Sequence, residues 1–169
     1  MPYPEIMIRP MREDLTRIGV EELRTVEAVD DAVKNTSGTL MIVVNSICGC
    51  AAGSARPAVG LALQNNVIPD HLVTVFAGME REAVERVRQH HADVAPPSSP
   101  SIVLFKDGKI AAMIGRHDIE GRTPQDLAAA LVGIFNQHCA RPGPSIPPEQ
   151  FSKLKHIQAC GSSIPRMPR

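Results

Sequence analysis

The chain has 169 residues, of which 43% are hydrophobic and 21% are charged, and this composition fits one globular domain of ordinary size. Its 18 basic and 18 acidic side chains cancel and it has no Trp, which argues against a nucleic-acid-binding surface. Its apolar runs are too short for a membrane span and its first residues lack a secretory-signal pattern, so we expect a cytoplasmic protein.

Apolar spacing and turn residues predict alternating helices and strands. The first half of the chain is predicted to form a helix over 10–18, a helix over 26–34 that is capped by Thr25, and a buried strand over 39–46. A helical stretch over 51–65 follows, which Pro57 should kink or cause to start late. The second half is predicted to form a strand over 72–77, a helix over 80–91, a hairpin of strands 101–106 and 109–114, and a helix over 124–138 that is capped by Thr123. Such an order predicts an α/β fold with a central mixed β-sheet, flanked by helices and ending in an antiparallel edge hairpin.

The composition changes after residue 139. Residues 140–169 hold six of the 15 prolines and five basic side chains against one acidic side chain. We therefore predict a domain over 1–139, followed by a Pro-rich basic C-terminal extension over 140–169. The extension is predicted to be extended or disordered, with a short helix near 148–155.

Two of the four cysteines, Cys48 and Cys50, lie between the buried strand and the helical stretch. The start of a helix offers unpaired N–H groups and partial positive charge, which favour a thiolate. Gly49 permits the tight backbone that a disulfide across so short a span requires, and such a disulfide should be easily reduced. The pattern predicts a transferable disulfide in which Cys48 is the more exposed nucleophile and Cys50, one turn into the helix, is the resolving thiol.

Other interpretations of the cysteine pair stay open on the residues alone. Both thiols could be idle or structural, or they could join Cys139, Cys160 or a histidine in a metal site, although no second ligand pair has zinc-site spacing. A non-enzymatic redox sensor, or a binding module whose basic extension recruits an acidic partner, would be functions of a different class. Pro100, just before a predicted strand, is by itself a loop proline.

Several polar residues could assist the pair. Asn45 and Ser46 end the predicted strand and could donate to Cys48 or only satisfy the turn, while Arg56 could bind a substrate carboxylate or lie solvated on the helix. A polar cluster after the hairpin could line the rim of the site or hold the turn into the last helix. Its members are Arg116, His117, Asp118 and Glu120.

Four segments together resemble the bacilliredoxin family, which belongs to the thioredoxin-like superfamily and carries a Cys-Gly-Cys motif. The segments are Val44-Asn-Ser-Ile-Cys-Gly-Cys-Ala-Ala-Gly-Ser-Ala-Arg-Pro57, Val73-Thr-Val-Phe-Ala-Gly78, Pro97-Ser-Ser-Pro-Ser101 and Arg116-His-Asp-Ile-Glu-Gly121. The match spans roughly residues 4–139.

The resemblance implies a thioredoxin-like fold and a thiol–disulfide oxidoreductase that removes bacillithiol, or a similar low-molecular-weight thiol, from S-thiolated proteins, with weak disulfide isomerase activity. On the matching positions Cys48 takes the bacillithiol, Cys50 resolves the adduct, and Pro100 is a cis-proline beside them. No metal or organic cofactor is implied, and bacillithiol is the thiol co-substrate. The extension after Cys139, with Cys160, departs from the family pattern and leaves the range of partners open.

Overall fold

A computed structural model describes residues 2–154 of the chain; residues 155–169 of the extension, with Cys160, lie outside the described residues. The helices are α1 (Glu5–Thr16), α2 (Val26–Asn35), α3 (Arg56–Ala62), α4 (Arg81–His91), α5 (Arg116–Ile119), α6 (Pro124–His138) and α7 (Pro148–Ser152). The strands are β1 (Glu21–Glu22), β2 (Thr39–Asn45), β3 (Val67–Ile68), β4 (His71–Phe76), β5 (Ser101–Lys106), β6 (Lys109–Ile114) and β7 (Arg141–Pro142). Within residues 2–154, no helix is both long enough and apolar enough to cross a lipid bilayer.

Five strands form one mixed sheet in the order β1-β4-β2-β5-β6. The central strand β2 is parallel to β4 on one side and antiparallel to β5 on the other. The β5–β6 hairpin turns through Asp107 and Gly108, which both have positive φ, as a tight two-residue turn requires. The predicted mixed sheet with an antiparallel edge hairpin is confirmed.

The sheet separates two hydrophobic cores. Because successive side chains of a strand point to opposite faces, Met41 and Val43 of β2 pack with α1, α3 and α6, while Ile42 and Val44 pack with α2 and α4. All residues of β2 are buried, as predicted for a strand covered on both faces. The segment that follows Asn45 therefore begins from a strand that is packed on both faces.

The helix boundaries agree with the sequence except near two prolines. α1 begins at Glu5 and runs through Pro10, whereas the sequence predicted a start at Pro10. Pro10 is tolerated because it lies near the helix start, where the missing N–H costs only the bond to the carbonyl of Ile6, an exposed residue. Pro57 lies in the first turn of α3, where a π-helical segment, Ala51–Ala55, changes to α-helix, so the stretch is helical before Pro57 and does not begin late.

Residues 140–154 pack against the domain, which corrects the prediction of an extended or disordered segment for this part. β7 pairs with β3, and the Ser145 backbone N–H and hydroxyl donate to the carbonyls of Leu63 and Ile18, at 2.9 and 2.6 Å. Phe151, on the short helix that the sequence did predict, is buried in the core of α1, α3 and α6. The packed unit thus extends past residue 139, because a few well-placed side chains outweigh the polar, Pro-rich composition.

Candidate active site

The cysteine pair follows the central strand directly. β2 ends at Asn45, and the chain enters a helical segment beside Cys48, whose carbonyl accepts hydrogen bonds from the N–H groups of Ala51 and Ala52 at 3.1 and 3.2 Å. Cys48 therefore lies at the N-terminal boundary of that segment. Cys50 lies in the first helical turn, rather than one turn into the helix as predicted.

Hydrogen-bond donors converge on the sulfur of Cys48. Burial is the largest single influence and raises the pKa of Cys48, but hydrogen bonds from the Ser46 hydroxyl, the N–H groups of Ala51 and Cys50, and the Cys50 thiol together lower the pKa below its ordinary value. The Ser46 Oγ–Cys48 Sγ distance is 3.1 Å. These surroundings favour the thiolate of Cys48, the nucleophilic form of a cysteine.

The surroundings of Cys50 act in the opposite direction. Burial contributes most to raising the pKa of Cys50, followed by the negative charge of Cys48 and the hydrogen bond to it, while Glu120 adds to the effect and Arg116 opposes it. The thiol of Cys50 donates to Glu120 Oε1 at 3.8 Å. Cys48 was predicted to be the more exposed cysteine, but the structure does not show this difference, because both cysteines are half-buried. Their order of ionisation distinguishes them instead.

Part of the polar cluster after the hairpin reaches the rim of the site. Arg116 Nε and Glu120 Oε1 form an ion pair at 2.6 Å between side chains that are 45% and 44% exposed. The charge of Arg116 acts on both cysteines, and Glu120 accepts from Cys50. His117 and Asp118 are exposed residues of the same short helix. The Arg116–Glu120 ion pair thus lies at the exposed rim of the site, beside the thiols.

Pro100 lies at the same end of the sheet as the cysteines. Its peptide bond with Ser99 is cis, as the resemblance implied. Ser101 begins β5 and lies opposite Val44, so Pro100 lies across from the strand end that leads to the cysteine pair. The guanidinium of Arg116 donates to the Ser99 carbonyl at 3.5 Å, which joins this loop to the rim.

Asn45 and Arg56 lie behind the cysteine turn. Asn45 is buried; its Oδ1 accepts from the Ser46 N–H at 2.9 Å, and its Nδ2 donates to the Met11 carbonyl at 3.1 Å. Arg56 is 4% exposed and paired with Asp14 at 2.9 Å. This placement corrects both interpretations of Arg56, because a buried, paired guanidinium is neither solvated nor open to a substrate carboxylate. Ser46 is the predicted supporting residue whose side chain contacts Cys48.

Gly49 is exposed, and a Cβ there would meet nothing within 4 Å, so space alone does not require glycine between the cysteines.

Asp14 is the residue that sequence reasoning missed. It lies 42 positions from Arg56, and no local spacing signals a contact over that distance.

Cys139 lies away from the pair. It follows α6 and interacts with Thr39, the first residue of β2, whereas the pair follows the last residue of that strand. A strand of this length separates its ends by about 20 Å. Burial raises the pKa of Cys139. Across residues 2–154, no group of three or more His, Cys, Asp or Glu side chains is arranged to hold a metal ion.

Comparison with known proteins identifies the family to which this chain is similar. A family model described as disulphide isomerase matches residues 3–139. A bacilliredoxin of Koribacter versatilis is 53% identical over 137 residues, which cover 81% of this chain and 94% of the relative. A bacilliredoxin of Salinibacter ruber is 44% identical over 167 residues, which cover 98% of this chain and 96% of the relative.

A solved structure described as having a thioredoxin fold is also similar. It aligns with a TM-score of 0.50 at 14% sequence identity, covering 66% of this chain and 92% of the other. The similarity confirms the thioredoxin-like fold, in agreement with the mixed sheet and the position of the cysteine turn at its carboxyl end.

Proposed function

Since this chain belongs to the bacilliredoxin family, we propose that it removes bacillithiol, or a similar low-molecular-weight thiol, from mixed disulfides on proteins. It is a thiol–disulfide oxidoreductase, and the finer proposal concerns its substrate and the roles of its cysteines. The observation that carries it is the opposed ionisation of two neighbouring thiols: the pKa of Cys48 is lowered and the pKa of Cys50 is raised. The proposed chemistry uses bacillithiol as co-substrate and assigns no resident metal or organic cofactor.

In the first step, the Cys48 thiolate attacks the bacillithiol sulfur of a protein–bacillithiol disulfide. An S–S bond forms between Cys48 and bacillithiol, the original S–S bond breaks, and the protein leaves as a thiolate that takes a proton from water. Ser46 and the N–H groups at the helix start favour the attacking thiolate before the substrate arrives. Cys50 stays protonated during this step and does not compete for the substrate.

In the second step, Cys50 loses its proton to solvent and attacks the sulfur of Cys48. The Cys48–Cys50 disulfide forms, and bacillithiol leaves as a thiolate. Once Cys48 is part of a mixed disulfide, its negative charge no longer raises the pKa of Cys50. Formation of the adduct therefore favours ionisation of the thiol that removes it. An external thiol reductant then reduces the enzyme disulfide.

The test is intact mass spectrometry of Cys50→Ala after mixing with a bacillithiolated model protein. We expect one bacillithiol on the variant, mapped to Cys48, together with release of the model protein as a free thiol. Cys48→Ser is the matched control and should take no bacillithiol. A Cys48 that is reduced and accessible to alkylation, yet takes no bacillithiol, would reject this substrate.

Disulfide isomerisation is a second candidate, favoured by the description of the family model. In this reaction the Cys48 thiolate attacks a disulfide of a misfolded protein and releases one substrate thiolate. A substrate thiolate then attacks the mixed disulfide, so that a new substrate disulfide forms and Cys48 is released without net oxidation. Reactivation of a protein with scrambled disulfides should then need Cys48 and persist in Cys50→Ala. Equal reactivation by Cys48→Ser would contradict this candidate.

A further inference from the structure

A series of buried polar contacts leads from α1 to the nucleophile. Arg56 Nε pairs with Asp14 Oδ2 at 2.9 Å, and the two side chains are 4% and 9% exposed. Arg56 Nη1 donates to Asn45 Oδ1 at 3.1 Å and to the Ser46 carbonyl at 2.9 Å. The Ser46 hydroxyl in turn lies 3.1 Å from Cys48 Sγ. One guanidinium therefore contacts both residues that lead into the cysteine turn.

These contacts hold Ser46 by its backbone as well as by its side chain. Its N–H donates to Asn45 Oδ1 at 2.9 Å, and its carbonyl accepts from Arg56. Its hydroxyl also accepts from the Cys48 N–H at 3.4 Å. Because both backbone polar groups are held and the hydroxyl accepts from the Cys48 N–H, the surrounding contacts fix the direction of the Ser46 side chain. A donor fixed in this way stabilises a thiolate without having to reorient.

Stability is a weak explanation of this ion pair. Burying two charges costs desolvation energy, and apolar residues of similar size often fill such a site equally well. Arg12 offers a comparison within the same chain: it is 6% exposed and pairs with Glu5, Glu22 and Glu80. The contacts of Arg12 join α1 to β1 and to the start of α4, whereas those of Arg56 end at the cysteine turn.

We propose that Asp14 and Arg56 are positioning residues for the nucleophile, holding Asn45 and Ser46 so that the Ser46 hydroxyl points at the Cys48 sulfur. The inference rests on the proposed role of Cys48. The other titratable or charged groups that act on Cys48 are Cys50, in the same helical segment, and Arg116, on α5. Neither is among the polar contacts that join Arg56 to Ser46, so both can be kept constant or removed separately.

The test is a double-mutant cycle on the alkylation rate of Cys48, mapped by peptide mass spectrometry across pH in a Cys50→Ser background. Ser46→Ala removes the donor and should slow alkylation roughly tenfold at a pH below the Cys48 pKa, the loss expected for one charge-assisted hydrogen bond. Arg56→Met should slow it roughly threefold, with a rise in the Cys48 pKa. The double variant should be no slower than Ser46→Ala, because Arg56 acts through Ser46.

Arg12→Met is the matched control, since it also removes a buried, paired arginine. It should leave the alkylation profile of Cys48 unchanged, and a shift equal to that of Arg56→Met would indicate general loosening and overturn the proposal. Additive effects of Ser46→Ala and Arg56→Met, or a wild-type profile in folded Arg56→Met, would also overturn it.

A second variant keeps the test decisive if Arg56→Met does not fold. Asp14→Asn keeps an oxygen acceptor for Arg56 and removes only the charge, and it should also slow alkylation of Cys48; an unchanged profile would overturn the proposal. The readout needs no bacillithiol. A cycle that behaves as expected in a chain that takes no bacillithiol would therefore support the positioning role and reject the proposed substrate.

Discussion

At the scale of single residues, the chemistry depends on a difference between two sulfur atoms in one turn. Ser46 and the first N–H groups of the helical segment lower the pKa of Cys48 against the opposing effect of burial, whereas burial and the charge of Cys48 raise the pKa of Cys50. The sequence allowed the helix-start effect on a thiol to be predicted. It assigned the attacking role to Cys48 on the ground of exposure, which does not differ between the two cysteines. Their difference in ionisation depends on Ser46 and Glu120 side chains whose directions only the fold defines.

The lowered pKa of Cys48 should link stability to pH. Because the pKa is lower in the folded state, the thiolate stabilises the fold above the unfolded-state pKa, and this contribution is lost as pH falls through the folded-state pKa. The comparison is between Cys50→Ser, which keeps Cys48, and the double variant Cys48→Ser/Cys50→Ser. Cys50→Ser should have the larger free energy of unfolding, and the difference between the two should grow as pH rises. Urea unfolding under reducing conditions measures this difference. A difference that is constant or shrinks with rising pH would contradict the lowered pKa.

The raised pKa of Cys50 gives a second residue-scale prediction. Glu120→Gln removes a negative charge that raises the pKa of Cys50, so Cys50 should ionise more readily. Release of bacillithiol from the Cys48 adduct at neutral pH should then be about twofold to threefold faster, since the rim charges are solvent-exposed and screened. Stopped-flow mass spectrometry of the adduct measures the rate. The exposed Glu149→Gln is the matched control, and slower release in Glu120→Gln would indicate that the carboxylate accepts the Cys50 proton instead.

At the scale of elements, periodicity was a good guide wherever an element is long. The β-branched run of β2 and the capped starts of α2 and α6 agree with prediction, and Thr25 and Thr123 accept the expected cap hydrogen bonds from Ala28 and Asp126. The two-residue strands β1, β3 and β7 could not be predicted in this way, because two residues show no period and their pairing depends on distant partners.

The packing of residues 140–154 was missed for a related reason. Composition is an average, and a proline-rich segment of low hydropathy is typical of disorder. Here the attachment depends on individual contacts, such as the bond from the Ser145 hydroxyl to the Ile18 carbonyl and the burial of Phe151. Neither contact can be predicted from local sequence. Ser145 and Ile18 are more than a hundred positions apart, and Phe151 fills a core that other helices build.

The role of α7 can be tested by truncating its buried aromatic ring. Phe151→Ala should lower the free energy of unfolding by about 3 kcal/mol, the usual cost of removing a buried phenyl ring. The exposed Lys153→Ala should change it by less than about 0.5 kcal/mol. Denaturant titration of both variants measures the difference. Equal stability of Phe151→Ala and the unsubstituted chain would show that the contact of α7 contributes nothing in solution.

At the scale of the whole molecule, the sheet and its two cores should define a gradient of local stability. β2 is paired on both edges and buried on both faces, whereas the β3–β7 pair is short and peripheral. Amide hydrogen exchange should therefore be slowest in β2 and much faster in β3 and β7. Mass spectrometry of peptic peptides measures the rates. Exchange in β2 as fast as in the β3–β7 pair would contradict the arrangement of cores described above.

The attachment of residues 140–154 also has a consequence for the order in which the protein is completed during synthesis. Ser145 contacts the ends of α1 and α3, and Phe151 is buried in the core to which these two helices contribute. The α1–α3 side of the sheet therefore reaches its final packing only after residue 151 has been translated, about a hundred residues after the thiols themselves. Asp14 and Arg56 lie on those two helices. A nascent chain thus carries its cysteine pair well before the side of the fold that sets the pair's ionisation is complete.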